Sequence, residues 1–213
     1  MKITSDTLRL YAVTDRSWLR PGETLASVIE ELLKAGVTCV QLREKHAEEE
    51  LLLREASTLR ELCTQYQVPL IINDRPDIAI KVRADGVHVG QSDMAISEAR
   101  KILGDQYLIG GSAHNVAEAL AAQRAGADYI GCGAVFGSHT KQDATNLSTQ
   151  ELRAICEAVS IPAVAIGGIS LDNVAGLQGT GIAGVAIVSG LFAAEDKTAA
   201  VARFLKCLQN IPG

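Results

Sequence analysis

Short runs of β-branched and aliphatic residues recur along the chain. Each is followed by a longer stretch in which apolar residues return every three or four positions. The runs predict strands at Leu8–Thr14, Val37–Leu42, Pro69–Asn73, Gly86–Gly90, Tyr107–Gly111, Tyr129–Cys132, Ala163–Ile166 and Gly184–Val188. The stretches between them predict helices near Leu25–Lys34, Glu48–Tyr66, Arg75–Ile80, Ser97–Leu103, Val116–Ala125, Thr149–Val159, Leu171–Leu177 and Thr198–Leu208, with the third and seventh short. Eight strand–helix pairs are the count that closes a (β/α)8 barrel, so the pattern predicts an α/β fold of the TIM-barrel class, one domain over residues 1–213.

The punctuation agrees. Gly36, Gly126 and Gly181 stand where a residue of positive φ ends a helix just before the next strand. Pro69 and Pro162 open strands, where a missing N–H costs least. The strands are apolar at consecutive positions, as expected when helices cover one face and a packed centre fills the other. A doubly wound dinucleotide-binding sheet is the rival architecture, but no GxGxxG follows a predicted strand and no GxxxxGK[ST] occurs.

Composition narrows the function classes. The 213 residues carry a formal charge of −5, which argues against non-specific attachment to nucleic acid or to acidic membranes. No run is long and apolar enough to span a bilayer, and the N-terminus lacks a signal-like apolar segment. Cys39, Cys63, Cys132, Cys156 and Cys207 are odd in number, widely spaced and free of CxxC, a pattern that predicts reduced thiols in a cytoplasmic protein.

In a barrel of this class the chemistry gathers where strands end. Arg43 and Lys45 follow the second predicted strand, one offering a forked contact and the other a point charge to phosphate oxygens, with Gln41 at the alternate position from Arg43. A solvated surface run is the alternative for Arg43–Lys45. Asn73-Asp74 and Gln91/Asp93 close the next two strands, and the two aspartates suit Mg2+, which takes oxygen ligands while bridging to substrate phosphates. The alternative pairs Asp74 with Arg75 and has Asp93 cap the following segment; Asp77 reads as a helix-start residue. Ser112 and His114 follow the fifth strand, His114 with no carboxylate evident to tune it, while His88 reads as a packed, hydrogen-bonded imidazole. The polar stretch after Phe136 predicts a loop over the open mouth, in which Ser138, Thr140 and Lys141 suit a phosphate and His139 has no evident partner. The turns at Gly167-Gly168 and Ser189-Gly190 supply backbone amides for a second phosphate. Two anion sites without a catalytic triad or Schiff-base lysine predict charge stabilisation and positioning between two phosphorylated substrates.

Taken in order, YAVTDR (Tyr11–Arg16), GVTCVQLREK (Gly36–Lys45), PLIINDRPDIA (Pro69–Ala79), ADGVHVGQSD (Ala84–Asp93), GGSAHN (Gly110–Asn115), GADYIGCGAVFGSHTKQDA (Gly126–Ala144), IPAVAIGGIS (Ile161–Ser170) and GVAIVSG (Gly184–Gly190) resemble the thiamine-phosphate synthase family over nearly the whole chain. The resemblance implies condensation of 4-amino-2-methyl-5-(diphosphooxymethyl)pyrimidine with 4-methyl-5-(2-phosphooxyethyl)thiazole to thiamine phosphate, with release of pyrophosphate. It implies that the segment Gln41, Leu42, Arg43, Glu44 and Lys45, with Asn73, Ser112 and Lys141, holds the pyrimidine and its diphosphate, and that Asp74 and Asp93 ligate Mg2+. The thiazole phosphate would rest against Ser138, His139, Thr140, Gly168, Val188 and Ser189, and Arg43, Lys45, Ser112 and Lys141 would carry the catalysis. The implied mechanism is dissociative and needs no general base, because the attacking thiazole nitrogen uses a lone pair. Two departures stand out: members commonly carry proline and then threonine where this chain has Gly137 and Ser138, and Ala95 replaces a proline after Asp93. A thiazole tautomerase on the same barrel is the nearest rival, and a non-catalytic phosphate-binding barrel another.

Overall fold

In the computed structural model, residues 3–45, 47–137, 147–209 and 211 are described. Eight parallel strands close in sequence order: β1 Leu10–Val13, β2 Cys39–Leu42, β3 Leu70–Asn73, β4 Gly86–Val89, β5 Leu108–Ala113, β6 Tyr129–Cys132, β7 Ala163–Ile166 and β8 Gly184–Ile187, with β8 paired back to β1. The expected barrel is the observed one. The helices are α1 Ser5–Leu8, α2 Leu25–Ala35, α3 Glu49–Gln65, α4 Pro76–Val82, α5 Ile96–Leu103, α6 Val116–Arg124, α7 Thr149–Ala158, α8 Ser189–Phe192 and α9 Lys197–Leu208.

Strand positions alternate between two cores. Leu10, Ala12, Val40, Leu42, Leu70 and Ile72 face the helices in the larger cluster, whereas Tyr11, Val13, Cys39, Ile71, Leu108 and Tyr129 fill the barrel interior. By the same alternation Gln41, Asn73, His88 and Ser112 fall on inward positions near the C-terminal strand ends. The helices answer with single apolar stripes. On α2 the buried positions are Leu25, Val28, Ile29, Leu32 and Leu33, a spacing that fits one helical face. Truncating Leu32, fully buried on that stripe, would cost about 2–5 kcal/mol.

Three differences from the sequence reading stand out. Leu8 ends α1 instead of starting β1, because Thr4 and Thr7 form a reciprocal capping box that nucleates a turn and drops Leu8 into the bottom of the barrel interior. The seventh helix is only a 3-10 turn at Val174–Leu177, and α8 is an additional single turn after β8. Strand β5 runs to Ala113, so Ser112 lies within it. Gly36, Gly126 and Gly181 do take positive φ, at 112°, 94° and 83°.

At the N-terminal end, every odd strand from β1 to β5 has its first free amide held by a side chain just ahead of its even neighbour. Thr38 accepts from Leu10 N at 2.9 Å, Asp85 from Leu70 N at 2.8 Å, and Asp128 from Ile109 N at 2.7 Å. Both aspartates are also paired, Asp85 with Arg60 at 2.5 Å and Asp128 with Arg100 at 2.6 Å. Arg100 further donates to the carbonyls of Gly104, Tyr107 and Gly126. These contacts set register at the end opposite the chemistry.

Candidate active site

Thr14, just past β1, locks the backbone that carries the cations. Its hydroxyl accepts from Arg43 N at 2.8 Å and donates to Arg43 O at 3.3 Å, while Thr14 N donates to Gln41 O at 2.9 Å. Arg43 is half-buried and Lys45 exposed at the mouth. Glu44 turns aside: its carboxylate takes Arg16 Nε at 2.8 Å, and Arg16 reaches on to Glu55 at 3.2 Å. The Glu44 hydrogen bond raises the Arg16 pKa above its ordinary value. The other Glu44 oxygen is buried without a hydrogen-bond partner among the described residues. Of the run Arg43–Glu44–Lys45, the middle residue therefore anchors the segment.

The carboxylates meet as the strand ends imply. Asp74 follows β3 with φ of +59°, a left-handed conformation that aspartate tolerates better than most residues. It is fixed there by its amide donating to His88 O at 2.9 Å and by Asn73 Nδ2 donating to its carboxylate. Burial raises the Asp74 pKa above the usual aspartate range, and the adjoining Asp93 carboxylate pushes it further. The charge of Lys45 acts in the opposite direction, so the cationic end of β2 and the acidic end of β3 share one space. Asp93 sits in a tight turn, accepting from Gly90 N at 3.0 Å and donating its own amide to Gly90 O at 3.2 Å. A Cβ on Gly90 would collide with the Asp93 carboxylate, which explains the glycine. Arg75 pairs with Asp77 and Glu49, not with Asp74, so the alternative pairing does not form. Asp77 lies in the first turn of α4, as expected.

Two touching carboxylates that repel each other fit a divalent cation, and their oxygen-only chemistry fits Mg2+. Among the described residues no third acid, histidine or cysteine joins them.

The pocket floor is polar and continuous. Gln41 Nε2 donates to Tyr11 Oη at 2.8 Å, Tyr11 and Tyr129 hydroxyls are 2.9 Å apart, His88 Nδ1 lies 3.3 Å from Tyr129 Oη, and His88 Nε2 lies 3.1 Å from Ser112 Oγ. His88 is thus the packed, hydrogen-bonded imidazole expected. Gln91 Nε2 holds Ser112 O at 2.5 Å. His114 has a carboxylate after all: Glu118, one helical turn on, contacts its Nδ1 at 2.9 Å and takes its backbone N–H at 2.8 Å. That serves the start of α6 and leaves His114 a structural part.

Across the mouth, Gly167 and Gly168 take φ of +98° and +65°. A Cβ on Gly168 would strike the Phe136 and Gly137 carbonyls, so this turn can pass under the base of the β6 loop only as glycine. Gly168 and Ser189 are exposed there, Val188 is half-buried, and Ser189 and Gly190 open α8 with amides that have no acceptor within the helix. Ser138, His139, Thr140 and Lys141 lie outside the described residues. Sequence reasoning did not single out Thr14, Arg16, Tyr11 or Tyr129. Their one signal was the matched runs, YAVTDR for Tyr11, Thr14 and Arg16 and GADYIGCGAVFGSHTKQDA for Tyr129, since the contacts they make join residues far apart in the sequence.

Relatives match this chain over most of its length. The thiamine monophosphate synthase family model matches residues 10–191. A thiamine-phosphate synthase of Chloroflexus aurantiacus is 50% identical over 204 residues, covering 95% of this chain and 93% of that protein. One from Clostridium novyi is 47% identical over 189 residues, covering 88% and 92%. The solved thiamine phosphate pyrophosphorylase of Pyrococcus furiosus superposes with a TM-score of 0.90 at 37% identity, covering 98% of this chain and 99% of that one. The chain belongs to the thiamine monophosphate synthase family of transferases.

Proposed function

We propose that this site forms thiamine phosphate from a pyrimidine diphosphate and a thiazole phosphate by Mg2+-assisted, dissociative loss of pyrophosphate. The observation that carries this reading is the Asp74–Asp93 carboxylate pair under the field of Lys45, one strand from Arg43. Asp74 and Asp93 would hold Mg2+, which when bound supplies neutralising charge to the departing diphosphate. Arg43 and Lys45 grip that diphosphate from the β2 end, one forked and one as a point charge. Gln41, Asn73 and Ser112 orient the pyrimidine on the barrel floor, so that the scissile carbon faces the second substrate. The glycine turn after β7 and the amides opening α8 suit the thiazole phosphate, and Lys141 would complete the cationic set. No group need take a proton from the thiazole nitrogen, in keeping with the absence of a general base in the proposed roles. The five free thiols support a reducing, cytoplasmic setting.

The experiment is pyrophosphate release, measured with each substrate alone and with both, in Mg2+ and in chelator. Release only with both substrates and Mg2+ is the expected result. Isomerisation of the thiazole phosphate alone would instead reveal a tautomerase, and binding without release a regulatory barrel.

A further inference from the structure

Five side chains from five strands, Gln41 on β2, Tyr11 on β1, Tyr129 on β6, His88 on β4 and Ser112 on β5, are linked hydroxyl to amide to imidazole across the barrel interior. The two tyrosines are almost wholly buried. Burial raises both phenol pKa values well above the ordinary range, so each hydroxyl keeps one proton to give. Proton counting then sets a direction. Gln41 Nε2 brings a hydrogen to Tyr11 Oη, so the Tyr11 proton must go elsewhere. Cys39 lies beside it, but sulfur is a weak acceptor and Tyr129 Oη at 2.9 Å is the better one. Tyr129, having accepted, gives its own proton to His88 Nδ1. That nitrogen must then be bare, the ring hydrogen sits on Nε2, and Nε2–H donates to Ser112 Oγ. The opposite direction would leave Tyr11 with two donors aimed at it and a buried hydroxyl proton with only sulfur to receive it.

We propose that Tyr11, Tyr129 and His88 are positioning residues forming a one-way hydrogen-bond relay that fixes the outward-facing groups at its two ends. At one end the Gln41 amide oxygen is left to accept; at the other the Ser112 hydroxyl is left to donate. The pocket so polarised selects a ring that offers an amino hydrogen and a ring-nitrogen lone pair. It rejects the oxo counterpart, whose exocyclic oxygen and ring N–H present the reverse pattern.

The backbone is cut to fit this relay. A Cβ on Gly110 would lie 2.5 Å from His88 Nδ1 and 2.5 Å from Tyr129 Oη, in the gap where those atoms meet. A Cβ on Gly131 would lie 3.1 Å from His88 Cε1. Glycine at both places lets tyrosine and imidazole approach inside a barrel otherwise filled by aliphatic residues.

The ligand named here rests on the substrate reading above, whereas the relay itself does not. The test is therefore two measurements. Nitrogen-15 NMR of histidine-labelled protein without substrate reads the tautomer of His88, one of four histidines, assigned with His88→Gln. The expected result is a single Nε2–H tautomer in the unaltered protein and a mixture of tautomers in Tyr129→Phe. Tyr11→Phe should keep the tautomer, because the Tyr129–His88 bond survives. The second measurement is kcat/KM for the 4-aminopyrimidine diphosphate against its 4-oxo analogue, where each Tyr→Phe variant should lower the ratio at least 10-fold. An Nδ1–H tautomer in the unaltered protein overturns the proposal. So do Tyr→Phe variants that lower thermal stability but leave tautomer and ratio unchanged, the signature of mere packing. An Nε2–H signal without turnover of either pyrimidine upholds the relay and removes the substrate reading alone.

Discussion

Gly110→Ala puts the packing of the barrel floor to a quantitative test. The added methyl would lie 2.5 Å from both His88 Nδ1 and Tyr129 Oη, and nearer still to the Tyr129 ring. Something must move, and overpacking of this kind costs about 1–3 kcal/mol. Separating the two groups also takes the Tyr129 hydroxyl away from the acceptor of its proton, although it still meets Tyr11, about another 1–3 kcal/mol. Against this, alanine in a strand regains roughly 0.5–1 kcal/mol by restricting the unfolded chain. The net loss is therefore about 1–5 kcal/mol, a fall in Tm of roughly 2–4 °C per kcal/mol for a chain of this size. Urea unfolding followed by circular dichroism measures it. Gly179→Ala is the control, because its φ of +75° imposes strain while nothing lies within 4 Å of the new Cβ. That strain costs about 1–2 kcal/mol. A Gly110→Ala protein as stable as the unaltered one, with the control destabilised as stated, would refute the packing argument.

Asp74→Asn should abolish Mg2+-dependent pyrophosphate release yet raise the urea midpoint of the metal-free protein. The folded-state pKa of Asp74 is raised, so its favourable contribution is complete below the ordinary aspartate pKa and disappears as pH climbs through the raised value. The gain from asparagine should accordingly be present at pH 7.5 and fade toward pH 4. The carboxyl is only half-buried, so solvent keeps the gain below about 1 kcal/mol. Arg16→Ala strips the partner from a Glu44 side chain only 7% exposed, and should cost about 1–3 kcal/mol while raising KM for the pyrimidine diphosphate. Adding Glu44→Gln should restore part of the stability, measured as a double-mutant cycle. Lys197 is 2% exposed and pairs with Glu23 at 2.7 Å; Lys197→Ala should lose about 2 kcal/mol in thermal unfolding, and Lys197→Met less.

The strands were legible because apolar runs of four to six residues lie between glycine, proline and polar ends. Tyr129–Cys132 and Ala163–Ile166 are observed with the bounds read from the sequence. Leu8 misled because an apolar residue beside a strand looks like strand, while the capping threonines that make it helical carry a weaker signal. Gly110-Gly111 hid the length of β5, since glycine reads as a turn even where it clears room for a neighbour. Arg43, Asp74 and Asp93 could be named from strand ends alone, because a parallel barrel brings all such ends to one face. Tyr11, His88 and Tyr129 could not be linked in this way. Their meeting depends on inward alternation in three strands and on register across the barrel, which no local pattern encodes.

Asp85 and Asp128, each shared between an arginine and the leading amide of a strand, have a practical consequence. They fasten the floor of the molecule far from the substrates, so an engineer could exchange the loops of the opposite rim wholesale while the framework stays fastened. Opening the chain between Arg60 and Asp85, or between Arg100 and Asp128, to make new termini would set the two partners of a tie far apart along the chain. A rearranged chain opened there should assemble more slowly than one opened outside those two stretches.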